Sequence, residues 1–228
     1  MYTTILWDLD NTLLDFNASE KYAFDTCMIQ AGLTPDDTLL SLYSQINRSY
    51  WNRLERGEIT KEELLAQRFV HFFKTAGISG VDVTVFKDSY QRLLGSVFYC
   101  LDDSLALCRK LHATHRQYIV TNGVASTQRN KLKGSGLAAL MDGCFISEEL
   151  GFEKPSPEFF RLCMEQIPAF QKKEAVIVGD SLTSDMLGGN RAGIACCWYN
   201  PGGVPAPDDL RIDHIIRNLW DLLPILGL

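Results

Sequence analysis

The sequence predicts an α/β protein: a doubly wound parallel sheet with an all-helical insert after its first strand. Three observations carry this. Short apolar runs without alternation recur along the chain, as expected of strands buried on both faces of a parallel sheet. Apolar stripes at helical spacing lie between the later runs. A stretch of some eighty residues near the N-terminus, 15–96, carries helical periodicity and no convincing strand.

The first strand signal is Thr4-Ile5-Leu6-Trp7, which stops at Asp8. The others come late: Tyr118-Ile119-Val120, Cys144-Phe145-Ile146, Ala175-Val176-Ile177-Val178 and Ala195-Cys196-Cys197-Trp198-Tyr199. Leu105, Leu107, Cys108 and Leu111 make one helical stripe; Phe159, Phe160, Cys163 and Met164 make another. In the insert, Leu39, Leu42, Tyr43, Ile46, Tyr50 and Leu54 repeat at helical spacing, and so do Leu64, Leu65, Phe69, Phe72 and Phe73. The second series follows Thr60 with Glu63 three residues on, a capping-box signal. The expected division is therefore a discontinuous core, 1–14 with 97–228, and a helical domain, 15–96.

The 228 residues are enough for such a core and insert, and 46% hydrophobic with 22% charged residues is ordinary for a globular protein. A net charge of −6 argues against a nucleic-acid polymer as partner. It leaves room for a small phosphorylated ligand, since a bound cation reverses the field in one pocket. Seven cysteines with no C-x-x-C pair suggest neither a disulfide framework nor a zinc site. The four histidines show no ligand spacing. No basic stretch leads into an apolar signal run, and no segment reaches the roughly 18 apolar residues of a membrane span. A cytoplasmic protein without membrane contact, monomer or homodimer, is the expectation.

The strands end in polar residues, and ligands of open parallel sheets bind at the carboxyl ends of strands. Asp8, Thr121-Asn122-Gly123 and Gly179-Asp180-Ser181 follow three strands, and Lys154 lies in the loop after another. Asp8, Asp10, Asp180 and Asp185 brought close together would repel. A hard divalent cation removes that conflict, and oxygen ligands favour magnesium over zinc. Lys154 supplies a positive charge and Thr121 a hydroxyl. The inventory suits phosphoryl transfer, in which a carboxylate can act as covalent acceptor.

These residues fall into four ordered motifs: Ile5-Leu6-Trp7-Asp8-Leu9-Asp10-Asn11-Thr12-Leu13; Ile119-Val120-Thr121-Asn122-Gly123; Lys154-Pro155-Ser156-Pro157; and Val178-Gly179-Asp180-Ser181 with Asp185. The set resembles the haloacid dehalogenase superfamily of hydrolases, with a Rossmann-like core, and the helical insert looks like its type-1 cap. The resemblance implies that Asp8 attacks phosphorus and that Asp10 protonates the leaving oxygen and then activates water. It implies that Thr121 and Lys154 hold the phosphoryl group, helped by backbone amides of Leu9, Asn122 and Gly123. It places Mg²⁺ on the Asp8 and Asp180 carboxylates and the Asp10 carbonyl, with Asp185 orienting Lys154 or a metal-bound water. Asp10 argues against a dehalogenase, which has no alkoxide to protonate.

Trp51, Gly57-Glu58-Ile59-Thr60, Arg68-Phe69, Ile146-Ser147-Glu148-Glu149-Leu150-Gly151 and Cys197-Trp198-Tyr199-Asn200 resemble the house-cleaning pyrimidine 5′-nucleotidases. A nucleoside monophosphate is then the expected substrate. Phe16, just past the first motif, is a candidate to stack on its base; Tyr50 and Trp51 fit a helical core better. The alternatives are a sugar-phosphate or phosphoglycolate phosphatase, a β-phosphoglucomutase-like enzyme, and a catalytically silent binding protein of the same fold.

Overall fold

The computed structural model describes residues 1–228. Two compact units emerge from it: Met1–Phe16 with Phe98–Leu228, and Asn17–Val97. No helix is long and apolar enough to cross a membrane.

The first unit opens with β1 (Thr4–Trp7). The second is built from four helices: α1 (Phe16–Gln30, from its second residue on), α2 (Asp37–Glu55), α3 (Lys61–Ala76) and α4 (Val83–Leu94). The chain then returns through α5 (Ser104–His112), β2 (Arg116–Thr121), α6 (Ala125–Ser135), β3 (Gly143–Ile146), α7 (Ser147–Leu150) and α8 (Pro157–Gln166). It finishes with β4 (Ala175–Gly179), α9 (Leu187–Ala192), β5 (Ala195–Tyr199), β6 (His214–Ile216) and α10 (Leu222–Leu226). The six strands form one parallel sheet in the order β3-β2-β1-β4-β5-β6. β1 and β4 are the central pair, and the strand order reverses direction between them, where such sheets place their ligand crevice.

Both faces of the sheet are covered, which is why the strand sequences do not alternate. Ile5, Trp7, Ile119, Val178 and Cys197 face a layer that includes Leu107, Leu111 and Leu132. Leu6, Val120, Ile177, Cys196 and Trp198 face a layer that includes Phe159, Phe160 and Ile194. A polar group in this core has its partner, as burial demands. The indole N–H of Trp7 donates to Gln117 Oε1 (3.1 Å), and Gln117 Nε2 donates to the Cys108 carbonyl (2.9 Å). All seven cysteines are free.

In the helical unit the Thr60–Glu63 capping box forms on both sides and starts α3. Phe24, Tyr43, Phe69, Phe72, Phe86 and Tyr90 make its aromatic core, with Tyr43 and Phe69 stacked at 4.8 Å. A polar chain runs through that core. Asn47 donates to Glu20 Oε1 (2.9 Å) and accepts from Arg68 (2.8 Å), and Arg68 also donates to Gln91 (3.2 Å). Tyr50 and Trp51 are half-buried, so neither joins the core for which their spacing speaks.

Candidate active site

The ends of β1, β2 and β4, with the loop after β3, bring the polar residues together. Trp7 pairs with Ile119 and Val178, and the Asp8 amide continues the ladder to the Val178 carbonyl (2.9 Å). Asp8 therefore sits one residue past the end of β1, at the centre of the strand order. The chain then turns sharply. The Leu13 and Leu14 amides both donate to the Leu9 carbonyl, and Asn11 takes the left-handed conformation, φ 60°. Asparagine tolerates that region better than most residues.

Lys154 is the hub. Its ammonium, 1% exposed, donates to Asp8 Oδ1 (2.7 Å), Asp185 Oδ1 (2.7 Å) and the Val120 carbonyl (2.8 Å). Three donors meet three acceptors, so the buried charge is fully satisfied. Burial opposes that charge, yet the Asp185 and Asp8 carboxylates outweigh it and raise the lysine pKa. Asp8, Asp180 and Asp185 offer oxygens within 4.8 Å of one another. Burial, above all, pushes the Asp8 carboxyl well above its ordinary range, with Asp185 and Asp180 adding to the rise against Lys154. Asp180 is pushed up to about 7 by burial and then by Asp185. With all three ionised, the site would hold more negative charge than one ammonium neutralises. An all-oxygen donor set of this kind fits a hard divalent cation and not zinc.

The neighbours fix these groups. Asp185 is fully buried, and its Oδ2 accepts from the Ser181 amide (3.1 Å). A Cβ on Gly179 would lie 2.2 Å from that oxygen, so glycine is what admits the Asp185 carboxylate beneath the strand end. The Asp180 carbonyl is held by the Trp198 indole (2.8 Å). The Asn122 side chain clamps the Lys154 backbone, donating to its carbonyl and accepting from its amide, both at 2.8 Å. Thr121 Oγ1 accepts from Gln128 Nε2 (2.8 Å) and from the Gly123 amide (3.3 Å). Both lone pairs are then engaged and the hydroxyl proton remains to donate.

Asp8, Lys154, Asp180 and Asp185 are thus brought together, and Thr121 is joined through Gln128 to Asp10. Asp10 stands apart from the three clustered carboxylates; its side chain turns to α6 and accepts from Lys131 (2.6 Å) and Gln128 (2.9 Å). The Phe16 ring lies against the Lys131 ammonium, 5.2 Å from its centroid. Of the expected amide donors, the Gly123 amide is turned to the Thr121 hydroxyl.

A family model described as haloacid dehalogenase-like hydrolase matches residues 2–193. The chain belongs to that family. It is 35% identical to the HAD-hydrolase YfnB of Bacillus subtilis over all of this chain and 96% of that one. A crystal structure of YfnB bound to magnesium superposes with a TM-score of 0.94, covering 100% of this chain and 99% of the other. The pyrimidine 5′-nucleotidase PynA of Streptococcus pneumoniae is 33% identical, covering 99% and 95% of the two chains. The pyrimidine 5′-nucleotidase YjjG of Escherichia coli is 26% identical, covering 97% and 96%.

Two residues that contact Asp10 are not singled out by the motifs: Gln128 and Lys131. They stand three apart on α6, the helix that follows Thr121-Asn122-Gly123, and therefore share a helix face. That spacing, on a helix starting two residues after a strand-end motif, is the available signal. It does not separate buried Lys131 from exposed Lys133.

Proposed function

We propose that this hydrolase is a magnesium-dependent phosphomonoesterase that acts on nucleoside 5′-monophosphates through an aspartyl-phosphate on Asp8. One observation carries the chemistry: three carboxylates gather around Lys154 at the sheet's switch point, while a fourth acid, Asp10, follows Asp8 by two residues and is held separately. A nucleophile and an acid/base need such separate environments.

Magnesium held by the Asp8 and Asp180 carboxylates and the Asp10 carbonyl would neutralise charge on the phosphoryl oxygens. A carboxylate oxygen of Asp8 forms a bond to phosphorus as the ester P–O bond breaks. Asp10 gives its proton to the departing alkoxide. It then takes a proton from water, whose oxygen attacks phosphorus; inorganic phosphate leaves and the Asp8 carboxylate is restored. Lys154 and the Thr121 hydroxyl hold the transferring oxygens, and Asp185 keeps Lys154 in place. Charge stabilisation and positioning make up most of the catalysis in such a reaction.

The choice of nucleotide is supported by full-length similarity to two proteins named as pyrimidine 5′-nucleotidases. The test is phosphate release from uridine 5′-monophosphate, glucose 6-phosphate and phosphoglycolate, each with magnesium and with chelator. Magnesium-dependent release, fastest from the nucleotide, is expected. Faster release from the sugar phosphate or phosphoglycolate would reject the nucleotide assignment. No release from any ester would reject the phosphatase.

A further inference from the structure

We propose that Lys131 and Gln128 are positioning residues for Asp10, a clamp that aims its carboxylate for proton transfer to the leaving oxygen. The inference rests on the acid role given to Asp10 above. Each oxygen of Asp10 has its own partner: Lys131 Nζ on Oδ1 at 2.6 Å and Gln128 Nε2 on Oδ2 at 2.9 Å. Two oxygens held from two points fix both the position and the rotation of a carboxylate, as one bond does not. Gln128 Nε2 also reaches Thr121 Oγ1 at 2.8 Å, so one side-chain amide ties the acid to the hydroxyl assigned to the phosphoryl group.

The surroundings are built for this. The Lys131 side chain is 1% exposed, while the carboxylate it meets is 25% exposed. Burying an ammonium is costly unless it is paired. A lysine on a surface helix reaches solvent easily, so this one is held inward by Asp10 and by the Phe16 ring face, 5.2 Å away. Gln128 is equally enclosed, at 1% exposure, and its space depends on Gly123: a Cβ there would lie 2.4 Å from Gln128 Cδ. The glycine that ends the second motif thus has a packing role beside its backbone one.

A clamp on the acid and a plain structural ion pair differ in one respect. A general acid matters when the leaving group is a poor one, and matters little when the leaving group departs without a proton. The parameter kcat/KM reports the steps through ester cleavage. Lys131→Met is therefore compared with wild type on uridine 5′-monophosphate, an alkyl ester, and on p-nitrophenyl phosphate, an activated aryl ester.

Misplacement of a reacting group by about 1 Å costs on the order of 100-fold, so a fall of that size is expected on the nucleotide, carried by kcat with KM little changed. On the aryl ester the fall is expected to stay under about 5-fold. Lys131→Arg, which keeps the charge and the reach, restores most of the nucleotide activity. Gln128→Leu shows the same contrast between substrates at smaller amplitude, and it decides the question if Lys131→Met does not fold by circular dichroism. Equal losses on both esters in a folded variant, or no loss on either, overturn the clamp. Asp10→Asn separates the two levels. If it loses the nucleotide activity while folded Lys131→Met keeps it, the clamp alone is wrong; if Asp10→Asn itself keeps that activity, the acid role fails and the clamp with it.

Discussion

Replacing Lys154 by Met removes one ammonium and leaves its three partners in place. Asp8 and Asp185, 7% and 0% exposed, lose the only cation bonded to either of them, and the Val120 carbonyl loses a donor. Breaking a buried ion pair by deleting one partner costs about 3–5 kcal/mol, because the remaining charge stays out of water. For a chain of this size each kcal/mol moves the melting temperature by about 2–4 °C, so a fall of about 6–20 °C is expected without metal. Magnesium would supply replacement charge to Asp8, one of the two carboxylates, and so recover part of that fall. Turnover suffers separately: losing one preorganised donor to the reacting group costs about 100- to 1000-fold in kcat. The assay is thermal melting by circular dichroism, with and without magnesium, beside nucleotide hydrolysis at a temperature where the variant is folded. A folded variant melting within about 2 °C of wild type, with kcat reduced less than about 5-fold, would refute the placement of Lys154 at the hub.

Asp180, pushed up to about 7, holds a proton below that pH in the folded metal-free protein that the unfolded chain has released. The stability this gives is present at acid pH and is lost as pH rises toward the folded value of about 7. Magnesium requires the ionised form, so its affinity should rise by up to about tenfold per pH unit below that point and then level off. Calorimetric titration from pH 5.5 to 8 checks this, and a flat affinity across that range would contradict it. In the helical unit, Asn47→Leu removes the bridge between Glu20 and Arg68, leaving both buried groups short of a partner. A loss of about 3–5 kcal/mol is expected by urea denaturation, and a loss below about 1 kcal/mol would show that the bridge is dispensable.

Much of the core is legible in the sequence because burial on both faces leaves an unmistakable run of apolar residues. Thr4–Trp7 and Ala195–Tyr199 are read to the residue, and the other three strands to within two. β6 escapes because His214–Ile216 is a three-residue edge strand, with Ile215 exposed and a titratable side chain at its start. Asp8, Thr121 and Asp180 are readable because each ends or directly follows a strand, and parallel strands deliver their ends to one side; Lys154 lies farther on, past α7. What the sequence hides is the direction of individual side chains. It shows Asn122 after Thr121, but not that its amide clamps the Lys154 backbone. It shows Lys131 and Lys133 alike, though only the first turns to Asp10. Phe16 is legible as an aromatic beside the first motif, but its contact with an ammonium depends on where α6 lies.

The central claim is that Asp8 carries the phosphoryl group, and trapping that adduct tests it most directly. Asp10→Asn, given p-nitrophenyl phosphate and magnesium, forms the intermediate because the aryl leaving group needs no acid, and cannot readily hydrolyse it because the base is gone. Acid quench followed by borohydride reduction converts an aspartyl-phosphate to homoserine, which peptide mass analysis locates. The account predicts homoserine at position 8 and nowhere else, dependent on substrate and magnesium. Release of nitrophenol with Asp8 unmodified, or reduction at another acid, would contradict it.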